Sequence, residues 1–201
     1  MHHDVIDAVS RSWRSLALGL ATVALCTSCA FAQGMPLAER IQLCGVCHGE
    51  EGNSRMENIP SLAGQPEFFI LNQLFLMREN VRKIEAMAPL VKDLKDEDLD
   101  GLAKHFSKLP PKPSGEPIDP ALVTRGAELA NTRRCSSCHL PTLAGQDQMP
   151  RLAKQRVDYL IHSMTAIRDD KRTGADTLMS AAVAGLTDAD LAALAHYAAS
   201  Q

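Results

Sequence analysis

Aromatic residues are scarce in this chain of 201 residues. They make up 4% of it, as one Trp, two Tyr and five Phe, and the Trp stands at position 13, close to the N-terminus. A domain with so few aromatic side chains has only a small apolar core of its own. We therefore expect another apolar body to supply part of the missing volume.

Two further absences concern charge and motifs. The chain holds 21 Lys and Arg against 24 Asp and Glu, a net charge of −3, and it lacks the concentrated basic residues that bind nucleic acid. It also has no Gly-rich phosphate loop, no nucleophile elbow and no metalloprotease motif. We therefore predict no catalytic residues, no small-molecule substrate and no nucleic-acid partner.

Long apolar runs are absent after residue 32, whereas the N-terminus has the pattern of an export signal. Two arginines precede an apolar stretch, residues 16–30, and Ala30-Phe31-Ala32 matches a cleavage site. The stretch is short for a membrane span of about 20 residues. An uncleaved anchor and a lipoprotein signal are the alternatives, but the sequence predicts a cleaved signal peptide over residues 1–32.

The most informative feature is the pentapeptide Cys-x-x-Cys-His, which occurs twice, as Cys44–His48 and as Cys135–His139. Two thiols at this spacing can add to the two vinyl groups of one haem, and the adjacent His then lies under the iron. A structural zinc site needs four ligands, and a thioredoxin-like motif needs no His. Cys26–Cys29 shares the cysteine spacing, but Ala30 follows it. We therefore predict two covalent haem c groups, which would also supply the missing apolar volume.

The two motifs assign a role to each of their cysteines and histidines. The imidazoles are the predicted proximal iron ligands, His48 and His139. The thiols are the predicted thioether attachments, namely Cys44, Cys47, Cys135 and Cys138. These four are the only cysteines after residue 32, so no thiol remains for a disulfide.

The chain is a tandem repeat around a proline-rich segment. Residues 109–120 contain five prolines, which favours a semi-extended linker over a helix or a central strand. On either side of it, Pro60–Gln65 matches Pro150–Gln155 at an offset of 90, and further blocks follow in the same order. The sequence therefore predicts a duplicated haem domain, with an N-terminal copy over residues 33–108 and a C-terminal copy over residues 121–201.

Each half is predicted to be helical. A first helix leads into the haem motif, over residues 121–132 in the second half, and a middle helix follows the Pro-x-Leu-Ala-x-Gln block. A last helix begins near Asp96 or Thr187, with apolar residues at i, i+3, i+4 and i+7. Thr187 and Asp190 form a predicted capping box. No alternating apolar and polar run is long enough for a strand, so the fold class is all-α.

The sixth iron ligand is predicted from positions that recur. Met87 lies 39 residues after His48, and Met179 lies 40 residues after His139, each between the middle and the last helix. A Met is often only flexible core filler, but recurrence in both halves favours ligation of the iron. The competing residues lie too close to the motif, lie inside the middle helix or have no match in the other half. They are Met56, Met77, Met149, Met164, His105, His162 and His196.

Two recurring pairs are predicted to support the haems. Pro60 and Pro150 follow the ligand histidines by 12 and 11 residues. A carbonyl there would accept a hydrogen bond from the second imidazole nitrogen, although each Pro could simply end a turn. Arg78 and Arg168 recur in the middle helices and would either pair with haem propionates or lie on a solvated face.

Together, the paired motifs, the Pro60–Gln65 block, the two Met positions and the Leu-x-Asp-x-Asp-Leu starts of the last helices resemble the cytochrome c4 family. The resemblance covers nearly all of residues 35–200. It implies two class I cytochrome c domains about a pseudo-twofold axis, His/Met iron in each, and a periplasmic carrier that delivers electrons toward a haem–copper terminal oxidase. The departures are local: Lys154 replaces a Gly, Leu140-Pro141 replaces a Gly-rich loop, and residues 172–178 hold no second Met.

The residues also point to electron transfer, because a His/Met iron has no vacant position for a substrate. We therefore predict a non-enzymatic carrier of a respiratory chain, located in the periplasm, whose partners are an electron-donor complex and a terminal oxidase. Peripheral attachment to the membrane is an alternative to free diffusion. Two other functions stay open: a cytochrome subunit of a periplasmic dehydrogenase, such as a flavin-linked sulfide dehydrogenase, and a dihaem enzyme, such as a peroxidase or a thiosulfate dehydrogenase.

Overall fold

The computed structural model describes residues 34–201, so the predicted signal peptide lies outside the described residues. Residues 37–201 form one compact unit. Within residues 34–201 every regular element is a helix, and the one β-type pairing is an isolated bridge between Gln146 and Met149. The all-α prediction is confirmed.

The helices follow the same order in both halves. The first half, residues 37–108, holds α1 (Leu37–His48), α2 (Glu67–Arg78), α3 (Ala88–Val91) and α4 (Asp96–Ser107). The second half, residues 120–201, holds α5 (Pro120–Thr132), α6 (Ser136–His139), α7 (Val157–Arg168), α8 (Thr177–Val183) and α9 (Asp188–Ala199). The predicted first, middle and last helices are all present, whereas the short helices α3, α6 and α8 were not predicted.

Local signals explain where two of these helices begin. Pro120 is the first residue of α5, where its missing N–H costs nothing, and the Asp119 carboxylate accepts a hydrogen bond from the Ala121 N–H at 2.8 Å. The segment without regular structure therefore ends at residue 119. The capping box is confirmed, since the Thr187 N–H donates to Asp190 and the Asp190 N–H donates to the Thr187 hydroxyl.

The last helix of each half is the centre of its core. Helix α4 packs against α1 and α2, and α9 packs against α5 and α7. The predicted apolar face of α4 is buried through Leu99, Leu102 and Phe106. Gly126 of α5 lets the backbone of α9 approach closely, because a Cβ there would lie 2.1 Å from the Ala193 carbonyl oxygen. This packing holds the haem motif of each half against its core.

The proline-rich segment is fastened to both halves. On the first half, the Lys112 N–H donates to the Asn53 side chain at 2.8 Å. On the second half, the Glu116 carboxylate accepts from the N–H groups of Val157 and Asp158 at 2.9 and 3.1 Å. Contacts along its length therefore set the position of this segment.

Among residues 34–201, no single helix is long and apolar enough to cross a membrane. The pair α8 and α9 meets the criteria of length and composition together, but the two helices are bent by 112°.

Candidate haem sites

Both pentapeptides lie on one turn of helix. In the first half the motif forms the C-terminal end of α1, and His48 is its last residue. In the second half the first helix ends before the motif, Arg134 adopts φ +57°, and the separate short helix α6 carries the motif. Residues three and four apart lie on the same face of a helix. Each site therefore presents two thiols and one imidazole toward the same side.

The two imidazoles are buried and held by a backbone carbonyl. His48 is 7% exposed and His139 is 6% exposed. Nδ1 of His48 lies 2.8 Å from the Pro60 carbonyl oxygen, and Nδ1 of His139 lies 2.9 Å from that of Pro150. A carbonyl only accepts, so Nδ1 carries the hydrogen. The predicted Pro carbonyl contacts are confirmed in both halves.

This arrangement leaves Nε2 of each ring ready to ligate a metal. Nε2 of His48 and Nε2 of His139 make no hydrogen bond within the described range. Burial lowers the pKa of each imidazole, and the hydrogen bond to the Pro carbonyl opposes this only in part. A neutral imidazole with its lone pair on Nε2 is the form that binds iron, and the carbonyl at Nδ1 fixes its orientation.

The cysteines suit covalent attachment in an apolar setting. None of the four cysteines of the described residues forms a disulfide. Burial raises the pKa of Cys44 and of Cys135, so both thiols are neutral. A thioether is also neutral, and conversion of these thiols places no charge in the apolar surroundings.

The two recurring methionines lie at short helices. Met87 directly precedes α3 and packs against the core of the first half, and Met179 is the third residue of α8 and packs against a core cluster of the second half. The competing Met77 and Met164 lie in the middle helices and contact core residues. The assignment of Met87 and Met179 as iron ligands stays a prediction.

The loop after each motif begins with the same backbone conformation despite different residues. Gly49 and Gly52 have φ values of +85° and +69°, and Leu140 and Leu143 take +68° and +53° at the matching places. The carbonyl of Gly52 accepts from two N–H groups at 2.7 and 2.9 Å, and that of Leu143 accepts from two at 2.8 and 3.1 Å. The departure from a Gly-rich sequence thus changes the side chains at this edge and keeps the conformation of the first residues of the loop.

The recurring arginines of the middle helices make contacts that were not predicted. Arg78 donates to the Leu94 carbonyl at 3.1 Å and to Asp96 at 2.7 Å. Arg168 donates to the Leu186 carbonyl and to Asp188 at the same distances. Carboxylates already pair with both guanidinium groups, and each side chain is largely covered. They tie the middle helix to the start of the last helix, and their pairing with haem propionates stays a prediction.

Three other arginines pair with no carboxylate among residues 34–201, which makes them candidates to bind the carboxylates of a haem. Arg151 is 3% exposed and donates to the carbonyls of Ala63 and Ala153. Its Nε has no hydrogen-bond partner among residues 34–201, and burial lowers its pKa to about 10. Arg82 and Arg172 both donate to the side-chain oxygen of Gln73. Burial lowers the pKa of Arg172, and the positive charge of Arg82 lowers it further. A buried cation needs an anion, and haem propionates would provide one.

Comparison with known proteins agrees with this chemistry. Residues 123–201 match the family model described as Cytochrome c. The chain is 33% identical over 166 residues to cytochrome c4 of Pseudomonas aeruginosa, covering 77% of this chain and 82% of that protein. The crystal structure of reduced recombinant cytochrome c4 from Pseudomonas stutzeri superposes with a TM-score of 0.72 at 30% identity, covering 82% of this chain and 97% of that one.

A second group of relatives bears another name. The thiosulfate dehydrogenase electron acceptor of Thiomonas intermedia is 31% identical over 174 residues, covering 79% of this chain and 78% of that protein. Each match covers more than three quarters of this chain, so it extends over more than one half of the repeat.

Proposed function

Because the chain belongs to the cytochrome c4 family, we propose that it is a periplasmic electron carrier that passes electrons between a respiratory donor complex and a terminal oxidase. Its two class I cytochrome c domains bind two covalent haem c groups. The observation that carries the proposal is the repetition of one closed site, in which a buried imidazole is held by a Pro carbonyl at 2.8 Å in one half and 2.9 Å in the other.

Within each site we assign the predicted ligands. Cys44 and Cys47 attach the first haem and Cys135 and Cys138 attach the second. The axial pairs are His48 with Met87 and His139 with Met179. Haem iron with such a pair exchanges one electron and leaves no position for a substrate. The chain's own part is to hold each imidazole by Nδ1, to keep water away and to place buried cations near the propionates.

A haem count tests the attachment. Acid–acetone should leave the haem on the protein, and a pyridine haemochrome assay should give two haems per chain. Replacing both cysteines of one motif, Cys135→Ala with Cys138→Ala, should reduce the count to one, and the matching pair Cys44→Ala with Cys47→Ala should do the same. Extractable haem, or a count of one in the unaltered chain, would contradict the assignment.

A second candidate function is that of electron acceptor for a thiosulfate dehydrogenase. The relative of that name in Thiomonas intermedia, matched over 78% of its length, favours it. It differs from the first proposal in the donor, while the haem chemistry is the same. It also overlaps the predicted alternative of a dehydrogenase-linked cytochrome.

Reduction kinetics separate the two candidates. The oxidised protein should be mixed with a quinol-oxidising complex, and separately with a thiosulfate dehydrogenase and thiosulfate, and haem reduction followed by stopped flow. Rapid reduction by the quinol-oxidising complex alone supports the respiratory carrier. Rapid reduction by the thiosulfate dehydrogenase alone supports the function of dehydrogenase acceptor. Fast binding of carbon monoxide to either ferrous haem of the native protein would instead indicate an open iron and an enzyme.

A further inference from the structure

The amide groups that hold the two imidazoles also make contacts on their other side. The Pro60 carbonyl and the Ser61 N–H belong to one planar amide, as do the Pro150 carbonyl and the Arg151 N–H. In each case the carbonyl oxygen accepts from the imidazole of the same half. The N–H of the same amide therefore points the opposite way, away from the His.

Each of these N–H groups donates to a glutamine from the other half. The Ser61 N–H lies 2.8 Å from Oε1 of Gln155, and Nε2 of Gln155 donates back to the Ser61 carbonyl at 2.9 Å. The Arg151 N–H lies 2.9 Å from Oε1 of Gln65, and Nε2 of Gln65 donates back to the Arg151 carbonyl at 2.9 Å. Gln65 is 4% and Gln155 is 2% exposed. The two halves thus exchange equivalent, buried hydrogen-bond pairs.

An amide that donates at its N–H becomes a stronger acceptor at its carbonyl oxygen, because hydrogen bonds in a chain polarise one another and do so more strongly in a low dielectric. A stronger acceptor at Nδ1 makes the imidazole a more basic ligand. A more basic ligand stabilises ferric iron, so it lowers the reduction potential.

We propose that each half sets the reduction potential of the haem held by the other half: Gln155 acts on the first haem through Ser61 and Pro60, and Gln65 acts on the second through Arg151 and Pro150. Both glutamines are positioning residues, since neither touches a ligand imidazole. The inference rests on the proposed iron ligation by the two histidines.

The two contacts are not identical. Oε1 of Gln155 also accepts from the Arg156 N–H at 3.0 Å, so this oxygen is shared between two donors. Oε1 of Gln65 accepts from Arg151 alone among the described residues. We therefore expect Gln65 to influence the second haem more than Gln155 influences the first.

The test uses Gln155→Leu and Gln65→Leu in the full chain with both haems attached. The potentials are measured by spectroelectrochemistry, and each haem is assigned by NMR of its axial-ligand resonances. Gln155→Leu should raise the potential of the first haem alone, and Gln65→Leu should raise that of the second alone by a larger shift. A shift confined to the haem of the mutated half, or no shift, would overturn the proposal.

A matched control removes another hydrogen bond between the halves. The Lys83 N–H donates to the Thr173 hydroxyl at 2.9 Å, and neither residue belongs to the two amides. Thr173→Ala should leave both potentials unchanged. If it moves them as the glutamine variants do, loosening of the interface is responsible and the inference fails.

Two further measurements keep the test decisive. Met has nearly the length of Gln without its amide, so Gln155→Met and Gln65→Met replace any Leu variant that does not retain its haem. The backbone N–H of Ser61 should exchange faster with solvent in the Gln155 variant, and that of Arg151 in the Gln65 variant. If the unaltered protein lacks His/Met spectra, the proposed function fails. If those spectra are present and the backbone N–H groups exchange faster in the variants, but the potentials stay unchanged, only the inference fails.

Discussion

Asp190 shows how one side chain can serve both a helix start and a contact between helices. Its carboxylate accepts hydrogen bonds from the hydroxyl and the backbone N–H of Thr187 and pairs with Arg125 at 2.6 Å. These contacts lower the pKa of Asp190 from 3.8 to about 2, and the hydrogen bond from the Thr187 hydroxyl contributes most. Arg125 lies on α5, so the carboxylate joins the first and last helices of the second half.

We expect Asp190→Asn to weaken the acid sensitivity of the protein. The folded-state pKa is below the unfolded one, so the stabilisation is fully present above pH 3.8 and is lost as the pH falls from 3.8 toward 2. Urea unfolding at pH 6 and at pH 3 should show a smaller difference in stability for Asp190→Asn than for the unaltered chain. Arg125→Gln keeps both Thr187 contacts and should retain most of the difference. An equal difference in all three proteins would contradict this reading.

The methionine assignments give a second prediction for single residues. Met87→His and Met179→His should each remove about half of the weak near-infrared sulfur-to-iron absorption of the oxidised protein and lower one potential, because a second imidazole favours ferric iron. The matched controls are Met77→Leu and Met164→Leu, which lie in the middle helices and should leave both properties unchanged. If a His variant leaves both properties as they were, that Met only packs.

Single-residue contacts could be predicted from the sequence when both partners lie within one repeat. The Pro60 and Pro150 carbonyls were found because each follows its His at nearly the same spacing. The contact of Gln65 with Arg151 spans 86 residues and depends on how the halves meet. No pattern in the sequence states that arrangement, so the glutamines were recognised as part of a block without a role.

The pairing of first and last helices gives a prediction for whole elements. A Cβ at Gly126 would lie 2.1 Å from the Ala193 carbonyl oxygen, which is rigid backbone of α9. Gly126→Ala should therefore force α5 and α9 apart and destabilise the protein by roughly 1–3 kcal/mol, as overpacking does. Urea unfolding monitored by circular dichroism would measure the loss.

Gly101 of α4 provides the matched control. A Cβ there would meet the end of the Leu37 side chain at 2.7 Å, and that side chain can rotate away. Ala is also the better helix former by roughly 0.5–1 kcal/mol, so Gly101→Ala should be close to neutral. Equal losses for the two variants would show that close backbone approach is not what requires Gly126.

Helices of twelve residues or more were predictable, whereas short elements and left-handed residues were not. The apolar spacing of α4 and α9 gave both helices within one residue of their observed starts. Helix α3 has four residues, too few to show a period. Lys154 adopts φ +57° where the first half has Gly64 at +64°, so the loop conformation persists at a cost that the sequence alone does not reveal. In the first half Gly64 is also needed because Pro111 lies 2.9 Å from its would-be Cβ.

Across the whole molecule, the two halves have separate apolar cores and meet through polar groups. The buried core clusters each draw on one half only. The contacts between halves include hydrogen bonds of Gln65, Gln155 and Arg151, that of the Lys83 N–H with Thr173, and those of the linker. The sequence predicted two domains and an extended linker, but a proline-rich composition could not indicate that Glu116 would bind α7.

Glu116→Ala should therefore affect both stability and the linker. The carboxylate accepts from two N–H groups in the first turn of α7, and loss of such a cap typically costs about 1 kcal/mol. The linker would also lose this tether to the second half, so a protease that cuts on the amino side of lysine should cleave the Pro111–Lys112 bond faster; Pro113 blocks cleavage on the carboxyl side of Lys112. Glu116→Gln keeps one accepting oxygen, so its stability and its cleavage rate should lie between those of Glu116→Ala and of the unaltered chain. Glu128→Ala, on the exposed side of α5, should change neither urea unfolding nor cleavage. If Glu116→Ala unfolds and is cut like the unaltered chain, the linker is held by its first-half contacts alone.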